Sequence, residues 1–236
     1  MKVHRRNLLA GLALPLLKAQ PPGQPPSESL YIPKAHLVED RKFLHDFMDE
    51  FSFVDLVTPK PTLRISHIPC FLKRDEGKFG TIYGHVSKHN VQSGAFDSKQ
   101  DAVIVFRGPH GYISPSWYSK MEAVPTWNFG VIHATGKLRP VSERKPLHDL
   151  LAQLIDKNED YSKSKYSFAK LPDAYKTGLM AGIIGFTMEV ELLEGKFKLG
   201  QERNEVDQAG ILKGLDAAKP ERGLREISAA FYKRPK

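Results

Sequence analysis

The chain has 236 residues, of which 41% are hydrophobic and 26% charged, with a net charge of +8 and one cysteine. These values are ordinary for a globular protein and leave room for one domain with a sizeable core. A single cysteine excludes an intrachain disulfide and a four-cysteine zinc site, and the modest positive excess does not by itself indicate nucleic-acid binding.

The first thirty residues predict an export leader. Paired arginines at positions 5–6 precede an uncharged run over 8–17, which is too short to span a bilayer as a helix. Four prolines soon follow and would end a helix. This layout is typical of a removable signal of the twin-arginine type, which carries folded proteins. We therefore expect a periplasmic protein, with 1–30 as leader and proline-rich linker and 31–236 as one domain. The alternative is a cytoplasmic protein with a basic tail.

Hydrophobic patterning predicts the elements of the first half of the domain. A helix over 40–50 has its apolar positions on one face, with Asp40 as its cap. Runs of β-branched and aromatic residues, separated by Gly, Pro and charged clusters, predict the strands that follow. These strands are 53–58, 63–72, 79–86, 102–107 and 128–139.

The second half continues the same pattern. A leucine stripe predicts a helix over 142–159 with Ser142 as its cap. Residues 181–200 read as one long strand, and the last thirty residues as charged helix. Too little chain separates the strands for repeated helical crossovers. The pattern therefore predicts an α+β, mainly β fold, an antiparallel sheet or small barrel with flanking helices.

Polar side chains gather where the strand predicted over 79–86 ends. His85 lies on this strand, and Ser87 and Lys88 come directly after it. An imidazole, a hydroxyl and an ammonium group beside free backbone N–H groups suit a phosphate, although an ordinary polar turn has the same composition. His85 and His89 would share a metal only on a helix, so no metal site is predicted.

Two further stretches could bind a ligand. Both tryptophans, Trp117 and Trp127, fall in a turn-rich stretch with many hydroxyls, which suits either a flat aromatic ligand or a packed loop. Lys196 and Lys198 alternate along a strand and so share one face, which could meet phosphate, an acidic partner or only water. The sequence contains no dinucleotide fingerprint, phosphate loop or nucleophile motif, so we expect a cofactor to carry any chemistry.

Seven stretches occur in a characteristic order along residues 30–220. They are LYIPKAH, SHIP, YGHVSKHNVQ, FRGPHGYISPSWY, VPTWNF, HATGKL and EGKFKLGQER. In this order they resemble the PaiB family, the FMN-binding negative transcriptional regulators. The resemblance implies an FMN-binding split β-barrel, similar to pyridoxamine-phosphate oxidases and flavin reductases. It also implies a homodimer with the flavin in a groove between the two subunits.

The resemblance implies three groups of cofactor-binding residues in this chain. Those expected around the phosphate and ribityl chain are Ser66, His67, His85, Ser87 and Lys88. Those expected beside the ring, from either subunit, are Trp127 and Asn128. Those expected to close the site are Lys198, Gln201 and Arg203.

Two positions depart from the family pattern. Lys88 stands where relatives usually have arginine, which keeps the charge but loses the fork that grips phosphate in two places. Glu202 stands where relatives often have asparagine, and it adds a negative charge near the expected phosphate site. FMN affinity is therefore expected to be reduced, or the ligand to differ.

Three functions are open at this point. The first is an exported flavoprotein, an FMN-dependent oxidoreductase or electron carrier with nicotinamide or another electron donor. The second is a cytoplasmic FMN-binding regulator, for which the sequence offers no helix-turn-helix; an exported protein would not meet DNA. The third is a barrel that binds haem or a related ligand, with His67, His85 or His133 as iron ligand. The substrate stays open.

Overall fold

Nine antiparallel strands lie in the part of the chain that the structure describes. This computed structural model describes residues 30–59, 62–97, 99–120, 122–162, 166–218 and 223–233. The strands are β1 (Leu37–Val38), β2 (Phe53–Thr58), β3 (Arg64–Lys73), β4 (Thr81–Ser87), β5 (Ala102–Ile113), β6 (Thr126–Gly136), β7 (Leu138–Val141), β8 (Ile183–Glu189) and β9 (Leu192–Lys198). The helices are α1 (Arg41–Glu50), α2 (Arg144–Ser162), α3 (Asp173–Ala181), α4 (Glu205–Ala218) and α5 (Leu224–Tyr232). The predicted leader lies outside the described residues apart from Leu30, and it stays a prediction.

The strands close into a barrel because two pairs of them are continuous ribbons. β6 runs into β7 through Lys137, and β8 runs into β9 through residues 190–191. β6 pairs with β9 and β7 pairs with β8, so the two ribbons stay side by side across the bend. The order around the ring is β9-β6-β5-β2-β3-β4-β8, and β8 leads back into β9. This arrangement confirms the predicted antiparallel split barrel.

The sequence predicts one strand over 128–139 and one long strand over 181–200, and both predictions need correction because each ribbon consists of two strands. A Cβ at Gly136 would lie 2.2 Å from the carbonyl oxygen of Glu189, so only glycine lets the two backbones approach this closely. Each ribbon therefore bends here and enters the second half of the barrel. Strand periodicity is local and does not report such a bend.

Helix α1 begins where the sequence predicts. The Asp40 carboxylate accepts a hydrogen bond from the backbone N–H of Phe43, with an N···O distance of 3.1 Å. Phe43 and Phe47 pack edge-on against Phe197 of β9, with ring centroids 5.1 and 4.9 Å away. Phe231 of α5 stacks on the same ring at 5.4 Å. The first and last helices therefore share one core with the barrel.

Helices α2 and α3 cover a second, smaller core. The predicted leucine stripe of α2 is buried against Phe71 of β3 and Phe168. Helix α3 was not predicted, because its sequence buries only Lys176 and Met180 and so has little apolar periodicity. No helix within the described ranges is long and apolar enough to cross a bilayer.

Candidate functional site

The barrel is split between β3 and β4. These strands pair only over Cys70–Lys73 and Thr81–Gly84, with Cys70 opposite Gly84 as the last pair. Before Cys70, β3 pairs with β2; beyond Gly84, β4 pairs with β8. Cys70 is 1% exposed, and burial raises the pKa of its thiol to about 12, which makes it unreactive. The two strands diverge from this point and leave a groove between them.

The split groove, as we call it, has a volume of about 400 Å³. It brings together four of the five residues expected around the phosphate and ribityl chain. Its lining residues are Ser66, His67, Ile68, Pro69, His85, Val86, Ser87, Asn90, Gly182 and Ile183. The fifth expected residue, Lys88, is exposed directly beyond the groove, and its backbone N–H donates to the carbonyl of Gly182 at 2.9 Å.

Gln92 fastens the strands beside the split. It is buried in the short helix over Val91–Ala95, and its Nε2 donates to the Leu56 carbonyl at 3.1 Å and to Thr58 Oγ1 at 3.0 Å. Its Oε1 accepts a hydrogen bond from the Ser66 hydroxyl, which in turn accepts one from Asn90 Nδ2 at 2.8 Å. The Ser66 hydroxyl is therefore committed to this network within the free chain.

His85 lines the groove and carries an unsatisfied polar atom. Its Nδ1 is buried and has no hydrogen-bond partner among the described residues. Burial lowers the pKa of the ring, which keeps it neutral near pH 7. A buried nitrogen without a partner costs free energy, so this position fits a ligand that would hydrogen-bond it.

The residues expected beside the ring lie elsewhere, in a group we call the aromatic cluster. Trp127 is 54% exposed at the start of β6, with the rings of His110 and Tyr112 at centroid distances of 5.9 and 6.4 Å. Lys198 reaches this group from β9 and donates to the Thr126 hydroxyl. Asn128 is next to Trp127 but points inward, where its Nδ2 is buried without a partner in the described chain.

The remaining candidates are held by other parts of the same chain. Gln201 Nε2 donates to the carbonyls of Ala35 at 2.8 Å and Phe197 at 2.6 Å. The Arg203 guanidinium lies 4.3 Å from the centroid of the Tyr118 ring. The Gln201 side chain therefore ties the end of β9 to residue 35, and neither Gln201 nor Arg203 is among the residues that line the split groove.

Glu202, the acidic departure, also lies away from the split groove within one chain. Its carboxylate is 3.7 Å from His36 Nε2. It borders a cavity of about 510 Å³ between residues 34–40 and the end of α5. It therefore adds no charge to the groove of its own chain.

Within one chain the aromatic cluster and the split groove are separate. His133 of β6 lies in the same cross-strand row as His67 of β3, three strands away. Trp127 precedes His133 by six residues, which is about 20 Å along the strand, and three strand spacings add about 14 Å across it. One flavin could contact both groups only if they came from different subunits.

The five strands β9, β6, β5, β2 and β3 present an outer sheet face of aligned rows. The first row is Leu192, Thr135, Val103, Val57 and Ile65, and the second is Glu194, His133, Val105, Asp55 and His67. All ten side chains are at least partly exposed. The first row is largely apolar, with Ile65 57% exposed.

Sequence reasoning missed two residues beside the groove. Asp55 contacts His67, and Arg107 contacts Asp55. Asp55, His67 and Arg107 come from three different strands, so their proximity depends on cross-strand register and no local pattern indicates it. Among the described residues, no three His, Cys, Asp or Glu side chains are grouped so as to hold a metal ion.

Comparison with known proteins identifies the family. A family model described as "Putative FMN-binding domain" matches residues 30–192. The chain is 35% identical over 188 residues to the protease synthase and sporulation protein PAI 2 of Bacillus subtilis, covering 79% of this chain and 89% of that protein. It is 28% identical over 192 residues to an uncharacterized protein of Emericella nidulans, covering 66% and 76%.

A solved structure shares the fold. The FAD and haem binding protein of Mycobacterium smegmatis superposes with a TM-score of 0.52 at 12% identity, over 69% of this chain and 73% of that one. The groove suits the cofactor implied by the family model, because it combines hydroxyls, an adjacent lysine and an unsatisfied imidazole nitrogen. The chain belongs to the PaiB family of FMN-binding split-barrel proteins, whose cofactor is FMN.

Proposed function

We propose that this chain is an exported homodimeric flavoprotein with an oxidoreductase or electron-transfer role. The split groove of one subunit would hold the phosphate and ribityl chain of FMN, and the aromatic cluster of the partner would cover the ring. Bound FMN would supply electron or hydride transfer, with nicotinamide or another donor as its source of electrons.

The observation that supports this proposal is that each chain has a polar groove without an aromatic cover and, apart from it, an exposed aromatic cluster. The split groove contains hydroxyls and imidazoles but no phenylalanine, tyrosine or tryptophan among its lining residues. The aromatic cluster contains an exposed indole and Lys198, and none of its side chains lines the split groove. A flavin needs both a polar cradle and a flat apolar cover, so the two halves complement each other across a subunit contact.

The outer sheet face supports the dimer. Its first row exposes Ile65 and Leu192, and the three residues between them are two valines and a threonine. An apolar face of this kind, bordered by the charged second row, is typical of a protein–protein contact. His67 belongs both to this face and to the split groove, so a partner seated here would lie against the flavin site.

The leader supports export. A folded, cofactor-loaded dimer is the cargo that the twin-arginine pathway accepts, and FMN would be acquired before transport. The relationship to a protein named for protease synthesis and sporulation favours a second candidate, an FMN-binding regulator in the cytoplasm.

Subunit complementation tests the proposed site. Lys88→Met damages the groove half, and Trp127→Ala damages the aromatic half. Each homodimer should bind little FMN at a concentration near the wild-type Kd. A heterodimer of the two variants, purified through two different affinity tags, contains one intact site if the halves come from different subunits, and at this concentration it should bind about half as much FMN as the wild-type dimer. A heterodimer of wild type with the surface variant Lys42→Met should bind as much FMN as the wild-type dimer.

Two results would overturn the proposed arrangement. A heterodimer that binds no more FMN than the variant homodimers would place both halves in one subunit. A chain that sediments as a monomer with bound FMN would exclude the shared site. Fractionation of cells then tests export, because an uncleaved, FMN-loaded protein confined to the cytoplasm would favour the regulator.

A further inference from the structure

A carboxylate on the outer sheet face holds the groove histidine in one orientation. Asp55 Oδ1 lies 2.5 Å from His67 Nδ1, and Asp55 Oδ2 accepts a hydrogen bond from the Arg107 guanidinium. The Asp55 side chain is 18% exposed, whereas those of His67 and Arg107 are 64% and 61% exposed. The carboxylate is thus enclosed between its two partners.

Strand register brings these side chains together. Asp55 is directly opposite His67 across β2 and β3, and opposite Val105 across β2 and β5. Arg107 lies two residues beyond Val105 on the same face of β5, within diagonal reach of Asp55. Three hydrogen-bonded strands fix the arrangement, so it does not depend on a mobile loop.

The arrangement determines which nitrogen of His67 is protonated in the neutral ring. A carboxylate accepts hydrogen bonds and does not donate them, so Nδ1 must carry the proton in the contact with Asp55. Nε2 is then an acceptor, and it is the ring nitrogen that remains for a ligand in the split groove. Arg107 holds the second oxygen, which keeps the carboxylate turned toward His67.

We propose that Asp55 is a positioning residue that makes His67 Nε2 a hydrogen-bond acceptor for an O–H group of the flavin side chain. That O–H group is a ribityl hydroxyl or a singly protonated phosphate oxygen. Arg107 supports Asp55 in this role. The inference rests on the proposed flavin site and deepens it, because it assigns the chemistry by which one wall of the groove recognises its ligand.

The substitution Asp55→Asn tests the inference with almost no change of shape. The amide can donate as well as accept, so the neutral His67 ring is free to move its proton to Nε2. The matched control is Asp97→Asn, which alters an exposed carboxylate paired with Arg139 at 3.0 Å, away from the split groove. Asp97 has a φ of 68°, which asparagine also tolerates, so the control preserves the backbone.

The first measurement is the tautomer of His67. Long-range nitrogen–proton NMR of histidine-labelled full-length protein at pH 8.5, assigned with His67→Gln, distinguishes protonated from unprotonated ring nitrogens. We expect an Nδ1–H ring in the wild type and in Asp97→Asn, and a substantial Nε2–H population in Asp55→Asn. A wild-type ring protonated at Nε2 would overturn the inference.

The second measurement is the affinity for three flavins. FMN has hydroxyls and a phosphate, riboflavin has hydroxyls only, and lumiflavin has neither. Loss of one well-placed hydrogen bond should raise the Kd of Asp55→Asn for FMN by about five- to tenfold. Riboflavin weakened equally indicates a ribityl hydroxyl, and riboflavin unchanged indicates the phosphate. Lumiflavin should change by less than about twofold, since it lacks the O–H group.

The outcomes distinguish a failure of the proposed flavin site from a failure of the role assigned to Asp55. Wild-type protein that binds none of the three flavins would overturn the proposed function together with the inference. Equal affinities of wild type and Asp55→Asn, or an equal loss for lumiflavin, would overturn the inference alone and leave the flavin site standing.

Discussion

The split groove and the aromatic cluster are built in opposite ways. The groove exists because two neighbouring backbones diverge, and its side chains are tied into networks such as that of Gln92. The cluster exists because exposed rings and one lysine stand at the ends of well-paired strands, with Trp127 opposite Tyr112. The groove is therefore a property of the barrel, whereas the cluster can change without disturbing it. Variants of the two regions should differ accordingly, with stability effects concentrated at the groove.

The largest effect is expected from Gln92→Leu. The substitution removes the side-chain partner of the Leu56 carbonyl and of the buried Thr58 hydroxyl, at about 1–3 kcal/mol for each group left unsatisfied. We expect the free energy of unfolding to fall by about 3 kcal/mol, measured by urea denaturation. Gln153→Leu, on the exposed face of α2, is the control and should change it by less than about 0.5 kcal/mol. Equal stabilities of the two variants would show that the Gln92 hydrogen bonds do not stabilise the barrel.

The next effect is on affinity rather than stability. Lys88→Met removes the cation beside the split groove and should raise the Kd for FMN by about tenfold, as expected for one charge-assisted hydrogen bond. Stability should stay constant because the Lys88 side chain is exposed. Lys88→Arg restores the fork typical of relatives and should bind FMN more tightly than the wild type. Isothermal titration of all three proteins measures the difference, and unchanged affinity in Lys88→Met would place the phosphate elsewhere.

Acidification should also act through the groove. Burial lowers the pKa of His85 below its unfolded value near 6.5, so the unfolded chain binds more protons as the pH falls. Its contribution to stability is present above about pH 6.5 and is lost as the pH falls through that value toward the folded pKa. The urea midpoint, measured between pH 5 and pH 8, should therefore decline on the acid side. His133 should contribute to the same decline, because burial also lowers its pKa. His85→Gln should flatten this decline; an identical slope would show that the ring is not desolvated.

The smallest effect is expected at the aromatic cluster. Trp127→Ala removes a side chain that is more than half exposed, so the free energy of unfolding should change by less than about 0.5 kcal/mol. Thermal unfolding of the protein without FMN measures this value. A loss of several kcal/mol would contradict the contrast between the two regions and make Trp127 part of the core.

The sequence predicts local features of this molecule well. The Asp40 cap and the leucine stripe of α2 depend on residues within one or two turns, and both were found. The polar end of β4, predicted as a candidate ligand-binding place, lines the split groove, and it could be singled out because strand termini and turns have a local composition. The bends after Gly136 and Glu189 could not be predicted, since they follow from the close approach of two ribbons that are far apart in sequence. The contact of Asp55 with His67 was missed for the same reason: it depends on which strands pair and in which register.

The single cysteine can report local opening of the barrel beside the split groove. Cys70 forms the last cross-strand pair before the split, and it is buried. A thiol reagent can reach it only when the packing around it opens, so the labelling rate without denaturant measures the free energy of that local opening. No engineered label is needed. Because a ligand in the split groove would hold both strands, its affinity can be read from the slowing of a reaction at an atom that it never touches.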